Sequence, residues 1–168
     1  MELFVEGHDL VDLDFFSVSD PICTLKIKDS NVNHATSHLV GETEVIDNNL
    51  NPKWLKSFCV QFIFTKDLDL KFEVNNYNDP DSRELIGEGE ICLTEVMMAP
   101  AQTKKIKLQL PEKDAKGKKI RNWQNRGFLT IRADKIKKTE DIIKFQISAE
   151  LKSRRFLCFG NDSPYLLI

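Results

Sequence analysis

Short segments in which apolar and polar residues alternate recur along the chain, separated by clusters of Asn, Asp, Gly and Pro. KFEV (residues 71–74) and FLTIRA (128–133) alternate with period two, as strands with one buried face do. The pattern predicts eight strands, near residues 2–9, 21–28, 40–47, 57–64, 68–75, 86–93, 104–110 and 127–134. Turn chemistry marks NNLNP (48–52), NNYNDPDS (75–82) and KDAKGKK (113–119). TEVMMAP (94–100) reads as the one short helix, with Thr94 as its cap and Pro100 beyond its end. Eight short strands without a long amphipathic helix predict an all-β fold, an eight-stranded antiparallel β-sandwich. A further strand pattern, IIKFQISAEL (142–151), belongs to a tail too short to bury a core of its own.

Composition narrows the class. Hydrophobic residues make up 41% and charged residues 30% of 168, as in a soluble globular protein. No run reaches the roughly 18 apolar residues of a membrane span. The start, MELFVEGHDL, lacks a basic region followed by an apolar one, so no secretory leader is expected. Cys23, Cys59, Cys92 and Cys158 are scattered, and they read as reduced thiols of an intracellular protein. The net charge of −2 conceals an acidic first hundred residues, net −12, and a basic remainder, net +10. Such a split marks either an acidic site with a separate basic face or two differently charged solvated surfaces. The sequence holds no Gly-rich phosphate loop, HExxH or GxSxG, so an enzyme is not expected.

Oxygen-bearing side chains concentrate in two predicted loops. Asp14 and Asp20 sit six apart and bracket Phe15 and Phe16; Asn76, Asn78, Asp79, Asp81 and Glu84 follow strand 5. Strands 1 and 5 can deliver both loops to one end of a sandwich, where loops cluster. Calcium takes six to eight oxygens from carboxylates, carbonyls and water, and suits such a set better than zinc does.

These motifs, in this order, give the chain its resemblance. LVDLDFFSVSDP, GETEVIDNNLNPKW, LKFEVNNYN and ELIGEGEICL together resemble a C2 domain, most closely the first C2 domain of the copine family. The resemblance covers residues 1–135. Asp14 and Asp20 match the two first-loop Asp residues, and Asn51, Pro52 and Trp54 match the NPxW turn. Two third-loop positions that usually carry Asp are Asn76 and Asn78 here, followed by Glu84. The resemblance implies calcium held by Asp14, Asp20, Asn76, Asn78 and Glu84, and calcium-dependent docking on anionic phospholipid at the inner face of the plasma membrane. Phe15, Phe16 and Tyr77 would touch lipid, with one of the two Phe rings buried under the loop. Asn brings a carbonyl but no charge, so calcium binding is expected to be weakened or lost. Because strand 1 leads straight into the SDP loop, strand 8 is expected to close beside strand 1.

Residues 136–168 resemble a linker and the opening of a second, incomplete C2 domain. Where SDP would stand the chain reads Asp162, Ser163, Pro164, and the first Asp position falls on Leu157. The chain thus reads as a truncated copine relative or a fragment of a longer one. The runner-up reading is a calcium-independent module that binds a protein partner through the 142–151 strand. The basic stretch 104–126 reads either as a contact for anionic lipid heads or as a solvated loop. Trp123 is its one aromatic, so no nucleic acid is expected. His34 and His38 have no Cys or carboxylate neighbour and read as loop residues rather than zinc ligands.

Overall fold

In the structure, a computed structural model, residues 1–28, 37–62, 67–79, 82–112 and 125–136 are described. The chain divides into two units, Met1–Lys137 and Lys138–Ile168, and all the described residues lie in the first. The expected strand at 142–151, the turn at 113–119, His34 and Asp81 lie outside the described residues.

Among the described residues eight strands are present: β1 (Glu2–His8), β2 (Pro21–Lys28), β3 (Ser37–Glu42), β4 (Phe58–Cys59), β5 (Asp69–Asp79), β6 (Ser82–Cys92), β7 (Thr103–Lys107) and β8 (Phe128–Asp134). They form two four-stranded antiparallel sheets, ordered β4-β1-β8-β7 and β3-β2-β5-β6. β8 pairs with β1 from Glu2↔Asp134 to His8↔Phe128, the closure expected from the sequence. Alternation builds the core between the sheets. Leu3 and Val5 on β1, Leu70, Phe72 and Val74 on β5, and Leu129, Ile131 and Ala133 on β8 all face inward and are buried. Burying one such Leu or Ile contributes about 1.5–3 kcal/mol.

Some boundaries differ from the sequence reading. β3 lies at Ser37–Glu42 rather than 40–47, because the chain leaves the ladder at Thr43. There the Thr43 N–H donates to the Cys23 carbonyl, and its hydroxyl accepts from the Cys23 N–H, both at 2.9 Å. β4 is only two residues long, paired with Glu2 and Leu3. The helix α1 spans Leu93–Met98 and buries Leu93 and Val96. Thr94 is therefore inside it and not its cap; its hydroxyl donates to Asp67 Oδ1 at 3.1 Å. His38 lies on β3 rather than in a loop. The stretch 75–79 is strand and not turn: β5 stays paired with β6 past a register shift after Val74, through Asn76↔Glu84 and Tyr77↔Arg83.

The NPxW turn fastens the loop end to the sheets. The Gly7 N–H donates to the Pro52 carbonyl at 2.8 Å, and Trp54 Nε1 donates to the Pro21 carbonyl at 3.3 Å. The Glu44 carboxylate accepts from the N–H groups of Leu55 at 2.5 Å and Lys56 at 3.1 Å. Burial pushes the Glu44 carboxyl up, but these backbone donors and the charge of Lys56 outweigh it and hold the carboxyl below its ordinary value. A depressed folded pKa gives stability that is complete above the ordinary value and lost as pH falls through the folded one.

Two outcomes follow from this packing. Glu44→Gln is expected to lower stability by about 1 kcal/mol at neutral pH, with the difference shrinking in acid, as urea midpoints at both pH values would show. Gly7→Ala would place a methyl 2.8 Å from Pro52 Cγ and 3.1 Å from Leu10 Cδ1. It is expected to cost about 1–3 kcal/mol, read from the same midpoints.

Candidate functional site

The loop from residue 9 to residue 20 joins β1 to β2, and polar bonds organise it throughout. Asp12 Oδ1 accepts from the Asp14 N–H at 3.1 Å, the Ser19 N–H at 3.1 Å and the Ser19 hydroxyl at 3.0 Å. Ser19 is fully buried, and its Oγ accepts from the Leu13 N–H at 2.9 Å. Asn48, from the loop after β3, takes the Val18 N–H on its side-chain oxygen at 3.2 Å and donates its own N–H to Asp20 Oδ1 at 2.6 Å. The far end of β5 closes the arrangement: the Tyr77 N–H donates to the Asp20 carbonyl at 2.9 Å. The β1–β2 loop and the 76–78 segment, which the sequence set at one end, do meet there, the latter as the end of β5.

Asn76 sits where they meet. It occupies the next inward position of β5 after Leu70, Phe72 and Val74, and is 0% exposed. A buried amide must satisfy both its ends. Its Oδ1 accepts from the Asp20 backbone N–H at 2.7 Å, and its Nδ2 donates to Asp14 Oδ1 at 2.6 Å. A second, longer contact runs from Nδ2 to Asn78 Oδ1 at 3.4 Å. A backbone N–H can only donate, so the Asp20 bond fixes which end of the amide faces which neighbour. Position 76 therefore presents an N–H, not an oxygen, to Asp14.

The remaining residues are spread around this centre. The second oxygen of Asp14 accepts from the Ser17 hydroxyl at 3.2 Å. Asn78 is exposed, and Glu84 is exposed on β6 as the register partner of Asn76. Among the described residues, no group of three or more His, Cys, Asp or Glu side chains is placed to hold a metal ion. Phe15 and Phe16 are 90% and 97% exposed, their rings 4.9 Å apart edge to face. The expectation that one of them is buried is corrected: both project from the bend at 15–17, while Leu10 and Leu13 pack against the core. Tyr77 points to the other side of β5 from Asn76 and lies half-buried with the Arg83 guanidinium over its ring at 5.6 Å.

The outer face of the β3-β2-β5-β6 sheet is a checkerboard of paired charge. Lys26 pairs with Glu73 at 2.6 Å, Lys71 with Glu88 at 2.6 Å, Arg83 with Glu42 at 2.6 Å, and Lys28 with Glu90. The bond from Arg83 holds the Glu42 carboxyl below its ordinary range. Cys23, Cys59 and Cys92 are free thiols, and burial pushes that of Cys23 far up.

The C2 domain family matches residues 3–118, and the chain belongs to that family. Copine-A of Dictyostelium discoideum is 31% identical over 168 residues, an alignment that takes in 100% of this chain and 26% of that protein. The C2 domain here is related to those of copines, and the chain spans about a quarter of the length of that relative. The BON1-C2B structure matches with a TM-score of 0.54 at 28% identity, over 80% of this chain and 87% of its own. A C2 domain of plant Extended Synaptotagmin 1 matches with a TM-score of 0.53 at 22% identity, over 77% and 89%, a likeness of fold alone.

Asp12 and Asn48 were not singled out by sequence reasoning. The visible signal was the two-residue spacing of Asp12 and Asp14, which suits an Asx turn. Asp12→Ala leaves two N–H groups and a hydroxyl without their acceptor and is expected to cost about 1.5–3 kcal/mol. Faster proteolytic nicking within residues 13–18 would accompany the lower urea midpoint.

Proposed function

We propose that this C2 domain is a binding module, not an enzyme, and docks peripherally on anionic phospholipid at the inner face of the plasma membrane. The exposed Phe15–Phe16 tip carries this reading. Two adjacent aromatic rings held in solvent by a polar, internally bonded loop are suited to the boundary between headgroups and acyl chains. The neighbouring sheet face supports the loop end as the contact, because its basic residues are already paired with Glu side chains. No helix among the described residues is long and apolar enough to cross a membrane, so contact would be peripheral on their part.

The resemblance adds calcium to this reading, in a weakened form. Asp14, Asp20 and Glu84 supply charge at the loop end, and Asn78 supplies a carbonyl. Affinity in such sites follows ligand charge, and few charges place it at the weak end, about 10⁻³ M. Calcium is then a modest enhancer of docking, acting above cytosolic signalling levels.

Co-sedimentation with phosphatidylserine vesicles tests the reading. The protein is expected to pellet in chelator and somewhat more in millimolar calcium. Replacing Phe15 and Phe16 together by Ala is expected to weaken pelleting about tenfold or more, from the apolar burial lost. Absence of pelleting in every condition would refute membrane docking and turn attention to a protein partner.

A further inference from the structure

We infer that the Asn76 side-chain amide does the work of a bridging cation, so that the loop at 9–20 keeps its docking shape without calcium. The inference rests on the docking reading for what the loop is used for, and deepens it by naming how the site is regulated. The geometry is that of a two-ended clamp. Asp14 lies midway along the loop and Asp20 at its end, and Asn76 reaches both from β5: N–H to the Asp14 carboxylate at 2.6 Å, oxygen to the Asp20 N–H at 2.7 Å. The positive end of the amide faces the carboxylate, where an ion would otherwise have to sit. The bond to a charged acceptor is shielded, since Asn76 is 0% exposed.

Chemistry at this position is close to binary. A carboxylate in place of the amide could still accept the Asp20 N–H, but its second oxygen would meet Asp14 Oδ1 at the distance the N–H now occupies. Two carboxylate oxygens that close repel unless a proton or a cation lies between them. Asn at 76 thus removes the loop's need for a cation, and Asp at 76 would create it. The loop tip follows, because the bends that present Phe15 and Phe16 lie between the two clamped ends.

Thermal unfolding of the whole chain and of three variants, each in chelator and in millimolar calcium, decides the matter. The parent is expected to shift by no more than about 2 °C on adding calcium. Asn76→Asp is expected to melt about 5 °C or more lower in chelator and to recover most of that with calcium. Asn76→Ala should lose a similar amount without recovery. The exchange variant Asp14→Asn with Asn76→Asp restores an amide facing a carboxylate, with the roles reversed. It should regain parental melting in chelator and lose the calcium response, which a merely misfolded Asn76→Asp chain could not explain. Parental melting of Asn76→Asp in chelator, or an exchange variant that stays as unstable as Asn76→Asp, overturns the inference. Vesicle binding by the same proteins separates the two claims. If the parent pellets in no condition, docking fails alone, and the melting series still decides the clamp.

Discussion

A buried amide cannot be left half satisfied, and the loop end of this domain is arranged around that constraint. The inward row of β5 runs through Leu70, Phe72 and Val74 into the sandwich and ends on Asn76. An unpaired polar group there would cost about 1–3 kcal/mol, a sizeable share of the stability of a small domain. Its two partners are the Asp14 carboxylate and the Asp20 backbone, both in the β1–β2 loop. The packing of one sheet thereby dictates the shape of a surface loop. Asp12 and Asn48 extend the same bonding outward, and the two Phe rings are left where the loop has no core to cover them.

Function follows from that division between bonded base and free tip. The base is polar and satisfied internally, so it makes few demands on solvent or ions. The tip is apolar, its two rings packed edge to face on each other and largely exposed among the described residues. The adjacent sheet face carries its charges in pairs, with Lys71 between Glu73 and Glu88 and Arg83 on Glu42. Under the docking reading proposed above, a module built in this way would touch its partner through the loop end. Calcium, where the family uses it, has less left to organise.

Much of the fold was legible because alternation with period two is a direct image of a half-buried strand. KFEV and FLTIRA appear as β5 and β8, and the chain order predicted the β1–β8 contact. The meeting of the β1–β2 loop with the far end of β5 was legible, but the bonds that Asn76 makes there were not. Asn75 to Asn78 carry turn chemistry in the sequence, yet cross-strand pairing with β6 keeps them extended, and this carries Asn76 onto the inward row. Local propensity yields to tertiary register there. Thr94 misled for a similar reason: a good capping residue stands two positions past the actual cap, Cys92, in a helix that buries Leu93 and Val96. The exposure of both Phe rings had no local sequence signal, since it depends on Leu10 and Leu13 already closing that end of the core.

The central claim is that the loop is organised without an ion, and amide hydrogen exchange reads this most directly. The N–H groups of Asp14, Val18, Ser19 and Asp20 each have a side-chain acceptor. In chelator they are expected to exchange slowly, with the Asp20 N–H among the best protected, and calcium should leave their rates nearly unchanged. Fast exchange at these four positions in chelator, slowed strongly by calcium, would contradict the account and return the loop to control by the ion.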